Sequence, residues 1–444
     1  MDATTDDEWV CGRVAHIDRE AITVAVDATH IVRVDAPAPG SVRPGSVRVE
    51  RTVRGELEVH IGDLVRVRLQ PRVVGEVSGR EGERVRRAAT WELVHRTARA
   101  SWSRGSESQR FQSAGVAGRL WQRAEIVAEI RDHFRRRGFL EIETPALVTC
   151  PGLDVHLSAF AVHAPVARGT ARDADQSGRR SSIPPGALDP IAWLATSPEF
   201  AMKRALVGGI RRCFQLARCF RADESGSRHE REFTMLEWYR AWDGLDALLA
   251  DTADVMRIAS RWGNPAGSLR HRQARATVPD GPFPRITVRE AFARFAPGVG
   301  DPVSLAARDE TAYFAAFTDR IEPNLGTEFP TFLTHFPASL ASLAALDPED
   351  ASVCLRFELY ALGIELSNGF VELTDPDEHR ERFERDQSDR AGRGLAVYPI
   401  DDAFLSALDE GLPPSVGNAL GIDRLVALAL GTDSIAEVLA FPAR

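Results

Sequence analysis

Residues 221–239 read RADESGSRHEREFTMLEWY. The stretch opens on Arg221, passes through a polar loop that contains His229, and returns as a partly apolar run from Phe233 to Tyr239. This pattern predicts a strand, a mobile loop and a returning strand. Such a hairpin offers a guanidinium to a phosphate, a ring face to a purine and a phenol to a substrate. Arginines and aromatic residues are also common on structural hairpins, so a second signal is needed.

That second signal lies near the end of the chain, where residues 417–425 read GNALGIDRL. We interpret the glycine-punctuated part as a turn that leads into an apolar helix over 422–430. Arg424 stands at the start of this helix. An arginine at a helix start is compatible with a surface ion pair, but the combination with the first stretch makes a purely structural role for both segments less favoured.

Residues 357–366 read FELYALGIEL and predict two strands around a tight turn. Closure near Ala361–Leu362 would place Glu358 opposite Glu365. Two opposed carboxylates repel each other unless a cation lies between them, so this hairpin predicts a Mg²⁺ site. The alternative is an exposed hairpin face on which water weakens the repulsion.

The composition restricts the class of protein. A chain of 444 residues is long enough for two or three domains, and its net charge of −9 argues against a broadly cationic nucleic-acid binder. No apolar run approaches the roughly 20 residues of a membrane span, and the acidic N-terminus is no signal peptide, so we expect a cytoplasmic protein with no membrane partner. The five scattered cysteines indicate neither a disulfide framework nor a zinc site. The only lysine is Lys203, so the chain offers almost no stray acceptor for acylation.

Three segments follow from the patterning. Residues 1–100 alternate apolar and polar side chains in short runs between glycines and prolines, which predicts a small β-barrel of the OB type. Residues 101–117 are rich in Ser, Gly and Arg and predict a linker, and 118–444 form the remaining domain. Within that domain, the polar stretches 163–190 and 263–286 are predicted to be exposed excursions.

The motifs resemble those of a known enzyme family. The stretches at 221–239 and 417–425 resemble motifs 2 and 3 of the class II aminoacyl-tRNA synthetases, and 139–145 (FLEIETP) resembles motif 1. Within the class, the chain resembles the lysine branch, and most closely its paralogues that attach (R)-β-lysine to elongation factor P. The resemblance runs from about Leu120 to the end. It implies an α+β fold, with a mostly antiparallel sheet flanked by helices, and a homodimer.

The resemblance also implies roles in ATP binding. Arg221 would bind the α-phosphate and the substrate carboxylate, and His229 would approach the β- or γ-phosphate. Phe233 would stack under the adenine, and Arg424 would cover its other face while contacting the γ-phosphate. Arg221 and Arg424 are the implied catalytic residues. The remaining implied ATP contacts are Asp223, Glu365 and Gly421, and Mg²⁺ would be held by Glu358 and Glu365.

The implied amino-acid pocket contains two acids and a phenol, Glu199, Glu372 and Tyr239. A buried ammonium needs an anionic partner, so such a pocket suits lysine or (R)-β-lysine, which carry two ammonium groups. Asn368 and Phe370 would complete the wall, although Asn368-Gly369 is also a common turn sequence. The other implied substrate contacts are Ser197, Pro198 and Ala419.

Several positions depart from the family pattern. Ala222-Asp223-Glu224 replaces the usual Asn-Glu after Arg221, and Glu230-Arg231 replaces Asn-Pro after His229. Weak ATP binding in a non-catalytic, synthetase-like protein is therefore one alternative. A lysine–tRNA ligase is another, since the lysine branch carries an anticodon-binding OB domain. Residues 1–100, however, have only Trp9 and Trp91 for base stacking, which favours a structural or protein-docking role.

Position 419 separates the two ligase hypotheses. The tRNA ligases have glycine where this chain has Ala419, and the elongation-factor ligases have alanine. Residues 335–339 (HFPAS) also match the latter group better. The leading hypothesis is ATP-dependent formation of an aminoacyl-adenylate and transfer of the acyl group to a lysine side chain of elongation factor P, with tRNA as the less favoured acceptor.

Overall fold

The computed structural model places the chain in two compact units, residues 1–124 and 125–444, which are described separately. No helix in the described ranges is both long and apolar enough to cross a membrane. The predicted excursion at 163–190 lies almost entirely outside the described residues. Those residues are 9–17, 21–25, 30–35, 46–51, 55–60, 64–69, 84–95, 107, 109–163, 190–263 and 267–442.

The first unit is rich in strands, as its alternating sequence predicts. Strands β1, β2, β3, β7 and β6 close into a barrel in that order, and β4 pairs with β5 in a separate hairpin. Within the barrel, β3 and β7 run parallel. The OB-type assignment and the three-segment division stay predictions. The strands are β1 (Trp9–Ile17), β2 (Ala21–Ala25), β3 (His30–Asp35), β4 (Ser46–Arg51), β5 (Gly55–His60), β6 (Leu64–Leu69) and β7 (Arg84–His95).

Helices surround the sheet of the second unit. The first, α1, begins in a segment predicted as linker, after a π-helical turn at Gln109–Ser113. It ends two residues before Gly138, whose positive φ of 78° suits a helix end. The helices are α1 (Val116–Arg136), α2 (Glu199–Val207), α3 (Leu245–Gly263), α4 (Val288–Phe295), α5 (Pro302–Arg308), α6 (Glu310–Ala316), α7 (Pro376–Gly392), α8 (Asp402–Gly411) and α9 (Ile422–Leu430).

An eight-stranded sheet forms the centre of the second unit, in the order β16-β17-β18-β19-β20-β13-β12-β8. The β16–β17 and β8–β12 pairs are parallel and the others antiparallel, which confirms the predicted α+β core. The strands are β8 (Leu140–Glu141), β9 (Leu147–Val148), β10 (Ala161–Val162), β11 (Ala192–Leu194), β12 (Arg212–Phe220), β13 (Glu232–Ala241), β14 (Ser268–His271), β15 (Ala274–Thr277), β16 (Arg285–Thr287), β17 (Thr331–Pro337), β18 (Val353–Ala361), β19 (Ile364–Val371) and β20 (Ser415–Gly421).

The two faces of this sheet differ because side chains alternate along each strand. On one face, Leu236, Trp238 and Leu420 are fully buried in the main hydrophobic core, which α3 and α9 complete. The intervening residues of β13 and β20 point to the opposite face. That face carries the cavity described below. Alternate residues of β13 therefore belong to the hydrophobic core and to the candidate site.

The predicted turn at the start of 417–425 is wrong, because these residues form strand β20. Gly417 is required by close packing rather than by a turn: a Cβ there would overlap the ring of Tyr239 and the Oε1 atom of Glu372. Gly369 likewise lies inside β19, where a Cβ would come within 2.8 Å of Asn418 Oδ1. The turn alternative for Asn368-Gly369 is therefore wrong as well, whereas helix α9 is confirmed.

The stretch 263–286 is also more ordered than predicted. Strands β14 and β15 form an antiparallel hairpin within it. Leu269 and Ala276 are fully buried, and Phe283 is almost so. The apolar residues of this stretch are few and widely spaced. Their pattern in the sequence is therefore too weak to predict that they are buried.

The register of the β18–β19 hairpin differs from the prediction. Its turn lies at Leu362-Gly363, both with positive φ, rather than at Ala361–Leu362. An irregularity between Leu359 and Tyr360 shifts the pairing further. Glu358 consequently lies opposite Asn368, and Glu365 opposite Tyr360.

Candidate active site

A cavity of about 630 Å³ opens on the face of the sheet that carries the alternate residues of β13 and β20. It brings together most of the predicted site residues. Asp223 and Glu372 are not among its lining residues: Asp223 is exposed, and Glu372 is buried, with its Oε1 atom close to the lining residue Gly417. The predicted residues that line the cavity are Ser197, Pro198, Glu199, Arg221, His229, Phe233, Tyr239, Glu358, Glu365, Asn368, Phe370, Ala419, Gly421 and Arg424.

Strand pairing fixes the order of the side chains across the cavity floor. One row of paired residues runs Glu237, Ala419, Asn368 and Glu358 through strands β13, β20, β19 and β18. Directly opposed residues share a face of the sheet. Ala419 therefore lies between an acid and an amide.

The neighbouring row runs Tyr239, Gly417, Phe370 and Arg356 through the same four strands. The missing side chain at Gly417 leaves the space that the Tyr239 ring occupies. These two rows form the floor of one end of the cavity.

A buried ion-pair cluster lies at this end. Lys203 Nζ is 2.6 Å from Glu199 Oε1 and 2.5 Å from Glu372 Oε2. Glu372 Oε1 has no hydrogen-bond partner among the described residues. Burial raises the pKa of Glu372 to about 8, although Lys203 opposes that shift. Burial alone would lower the pKa of Lys203, but Glu199 and Glu372 outweigh it and raise the pKa.

Glu237 is a third acid at this end, and the sequence interpretation missed it. Ser197 Oγ donates to its Oε1 atom at 2.7 Å, and Tyr239 OH donates to its Oε2 atom at 3.1 Å. Burial, followed by repulsion from Glu199, raises the pKa of Glu237 to about 8. Strand alternation could have identified it. Side chains two residues apart on a strand share a face, so Glu237 lies on the same face of β13 as the predicted site residues Phe233 and Tyr239.

Cationic and aromatic groups line the other end of the cavity. The Arg221 guanidinium lies 5.1 Å from the centre of the Phe233 ring and donates to Glu224 Oε1 at 2.9 Å. Arg221 Nε is buried and has no hydrogen-bond partner among the described residues. Glu224, rather than Asp223, is the acid that faces Arg221, and the predicted ATP contact of Asp223 stays a prediction.

Arg424 is held at the same end by main-chain oxygens. Its Nε atom donates to the Arg228 carbonyl and its Nη1 atom to the Glu365 carbonyl, both at 3.1 Å. His229 is half-buried nearby. Burial and then the positive charge of Arg424 lower the pKa of His229, which favours the neutral imidazole.

Glu358 lies between the two ends and is held by two donors. Arg356 Nη2 donates to its Oε1 atom at 2.7 Å, and Tyr360 OH donates to its Oε2 atom at 2.6 Å. Burial and then repulsion from Glu365 raise the pKa of Glu358 to about 7. The two acids thus interact although they are not directly opposed. No cluster of three or more potential metal ligands occurs among the described residues.

Arg356 also organises the cavity floor. Its Nε atom donates to Asn368 Oδ1 at 3.0 Å and its Nη1 atom to the Leu340 carbonyl at 2.9 Å. The guanidinium packs 4.7 Å from the centre of the Phe336 ring. Asn368 and Glu358 are therefore linked through one half-buried cation.

Comparison of the sequence with known proteins identifies the family. The sequence model of a family described as tRNA synthetases class II (D, K and N) matches residues 109–444. Curated relatives named elongation factor P–(R)-beta-lysine ligase are 40% identical in Pectobacterium atrosepticum, 40% in Klebsiella pneumoniae and 42% in Salmonella dublin. Each match spans 343 residues, which is 76% of this chain and 98% of the relative. The chain belongs to the class II tRNA synthetase family of the D, K and N group.

Proposed function

We propose that the chain is an ATP-dependent, AMP-forming ligase that activates (R)-β-lysine or lysine and transfers it to a lysine side chain of elongation factor P. The observation that carries the proposal is a single cavity with acids at one end and arginines with an aromatic ring at the other. Relatives that are 40–42% identical to this chain are named elongation factor P–(R)-beta-lysine ligase.

The acid end suits an amino acid with two ammonium groups. Glu199, Glu237 and Glu372 outnumber their one internal cation, Lys203. Burial first, and then repulsion between these acids, raises the pKa values of Glu237 and Glu372. The two ammonium groups of such a substrate would pair with these acids and favour their ionised, carboxylate forms.

The opposite end suits ATP. The unpartnered, buried Nε atom of Arg221 and the ring of Phe233 offer a phosphate contact and a stacking surface. Arg424 is held in place through two backbone carbonyls, which leaves its planar face available to a purine. The neutral imidazole of His229 can donate one hydrogen bond to a phosphate.

Glu358 and Glu365 are the residues that would hold Mg²⁺. Their mutual repulsion is the feature that a divalent cation would relieve, and Mg²⁺ sites commonly combine one or two carboxylates with substrate phosphates. When bound, the ion would neutralise phosphate charge. Arg356 and Tyr360 keep Glu358 oriented for this purpose.

The reaction has two steps. A carboxylate oxygen of the amino acid attacks the α-phosphorus of ATP, pyrophosphate leaves, and an aminoacyl-adenylate forms. The acceptor amine then attacks the carbonyl carbon, AMP leaves, and the amine loses a proton as the amide forms. Arg221 would orient the carboxylate and the phosphate, and positioning with charge neutralisation is the main catalytic contribution expected.

The decisive experiment combines the protein with ATP, Mg²⁺ and radiolabelled (R)-β-lysine or α-lysine. Pyrophosphate exchange reports activation, and label in added elongation factor P or tRNA reports the acceptor. A matched elongation factor P in which the acceptor lysine is arginine serves as the control.

We expect exchange that depends on the amino acid, and label in elongation factor P but not in its control. Label in tRNA would instead support the lysine–tRNA ligase. Absence of exchange with both amino acids would support a non-catalytic binding protein. The expected cytoplasmic location stays a prediction.

A further inference from the structure

The use of lysine in this chain is unusual. A single lysine, Lys203, stands among 55 basic lysine and arginine residues. It is fully buried, whereas lysine is normally among the most exposed residue types. A composition that favours arginine nearly everywhere has left lysine at one interior position, which suggests that a guanidinium does not fit there.

The position of Lys203 follows from helix α2. Glu199 opens the helix and Lys203 follows one turn later on the same side, so the two side chains meet. Met202 and Leu206 are buried beside it. The helix thus points the ammonium into the protein rather than into solvent.

Three groups surround the ammonium. Besides the two carboxylates, the ring of Phe370 lies 5.1 Å from Nζ. A compact ammonium with three donors can serve two acids on different elements, whereas a planar guanidinium is wider and favours side-by-side acceptors. The charge and the small size of lysine are both needed here.

We propose that Lys203 is a positioning residue, an internal counter-ion that holds Glu199 and Glu372 in place and sets the pocket's charge for a substrate with two ammonium groups. Three ionised acids and Lys203 carry two negative charges in total, which two substrate ammoniums would balance. This inference rests on the proposed function, because it assumes that the acid end binds the amino acid.

Loss of the Lys203 charge would change both acids. Glu372 would lose its nearest cation, so more of it would be protonated near pH 7, and a protonated acid binds an ammonium poorly. Glu199 would lose the contact that orients it. The charged and titratable groups that face this cluster are Glu199, Glu237, Tyr239, Glu372, His379 and Arg382.

The first test uses the unmodified protein, because one lysine gives one NMR signal. Protein labelled with ¹³C at the lysine ε-carbon is titrated from about pH 6 to about pH 10, a range that lies below the usual lysine pKa of about 10.4. Unlabelled α-lysine, (R)-β-lysine or norleucine is then added without ATP. Norleucine is the matched probe, since it lacks only the terminal amine.

We expect an ammonium signal throughout the pH range. It should move on addition of either diamino acid and move less with norleucine. A signal that becomes a neutral amine below pH 8 would overturn the counter-ion role. A signal that is unchanged at amino-acid concentrations that saturate pyrophosphate exchange would overturn the link to the pocket.

The second test compares Lys203→Met, Lys203→Arg and, as a control for charge loss at an exposed position, Arg380→Met. Lys203→Met should raise the amino-acid KM in pyrophosphate exchange about 10- to 100-fold near pH 7, the scale of a charged hydrogen bond. The ATP KM should stay within about twofold. The loss should shrink as pH rises towards 9, because deprotonation restores the carboxylates.

Lys203→Arg should also be impaired, since it restores charge but not size, and Arg380→Met should resemble the wild type. A uniform loss at all pH values, with equal changes in both KM values, would mean that Lys203 only supports the fold. If Lys203→Met does not fold, the NMR titration of the wild type decides. Absence of exchange in the wild type would refute the proposed function, whereas normal exchange with an unaffected Lys203→Met variant would refute this inference alone.

Discussion

At the scale of single residues, Glu372 links the charge of the pocket to pH. Its pKa is raised to about 8 by burial, so the carboxylate form increases as the pH passes that value. Only this form attracts a substrate ammonium. The amino-acid affinity of the wild type should therefore rise between about pH 7 and about pH 9.

Glu372→Gln tests this directly. The amide keeps the shape but loses the charge, so amino-acid binding should weaken by roughly 1.5–3 kcal/mol above pH 8, and less below it. ATP binding should hardly change. Amino-acid and ATP KM values in pyrophosphate exchange across this pH range are the measurement, and the mutant controls for titration of the substrate's own amines. An unchanged amino-acid KM at pH 9 would remove Glu372 from the pocket.

A substitution at Ala419 should change the choice between α-lysine and (R)-β-lysine. Its methyl group lies in the row between Glu237 and Asn368, where it should shift the amine end of a substrate. (R)-β-lysine carries that amine one carbon further from the carboxylate and should tolerate the shift. Ala419→Gly should therefore relax discrimination against α-lysine by roughly 10- to 200-fold in relative kcat/KM.

The measurement is adenylate formation with α-lysine and (R)-β-lysine in both variants. Equal preference in the wild type would mean that Ala419 does not set specificity. An unchanged preference in the mutant would mean the same. Either result would strengthen the lysine–tRNA ligase alternative.

Sequence reasoning at this scale recovered the motif residues but not their internal partners. Arg221, Phe233 and Arg424 were assigned because they stand in recognisable stretches. Lys203 stands out in the sequence only as a rarity of composition. Its partner Glu199 lies one turn earlier on the same helix, but Glu372, which follows β19, is distant in the sequence. A contact between distant segments leaves no local pattern, so it required the structure.

At the scale of elements, strong local patterns were predictable and registers were not. The β12–β13 hairpin and helix α9 followed from alternation and from apolar period. Strand β20 was mistaken for a turn because glycine usually marks turns, whereas here it admits the ring of Tyr239. The β18–β19 register depended on one irregular residue pair, which sequence periodicity does not reveal.

The role of Gly417 in β20 can be tested with a matched pair of glycines. Gly417→Ala should destabilise the protein by about 1–3 kcal/mol, because the new methyl group would displace Tyr239 and Glu372. Gly421→Ala lies on the same face of the same strand, where a Cβ would be 3.8 Å from Arg424 Cδ. Its effect on stability should stay within about 0.5 kcal/mol.

Urea unfolding of both variants measures the difference, and the amino-acid KM of Gly417→Ala should rise as well. Equal stability of the two variants would show that the floor of the pocket accommodates a side chain at 417. It would also weaken the assignment of Tyr239 to a fixed position.

At the scale of the whole molecule, the N-terminal unit is separable in sequence from the candidate site. The relatives are covered almost completely by 76% of this chain, and the family match begins at residue 109. All proposed site residues lie beyond Pro145. Deletion of residues 1–112 should therefore leave amino-acid-dependent pyrophosphate exchange within about twofold of the full chain.

Circular dichroism establishes whether the truncated protein is folded. If the truncated protein is folded but has lost pyrophosphate exchange, then activation of the amino acid requires the N-terminal residues, which contradicts the prediction. Loss of transfer to elongation factor P alone would assign acceptor docking to the N-terminal unit.

The last prediction concerns assembly. Strand β8 lies at one edge of the central sheet, and its Leu140 side chain is 53% exposed. Leu147, a few residues later, is 51% exposed. Exposed apolar side chains beside an edge strand are a common feature of subunit interfaces, and a two-fold contact would cover both copies at once. We therefore expect a homodimer with twice the 48.7 kDa mass of one chain.

Light scattering at micromolar concentration measures this mass. Leu140→Arg should shift the protein towards monomer, because a charge would be buried without a partner. Leu395→Arg, at another partly exposed leucine, is the matched control and should not change the mass. A wild type that is only monomeric would refute the prediction, and a dimer that persists in Leu140→Arg would place the interface elsewhere on the second unit or on the N-terminal unit.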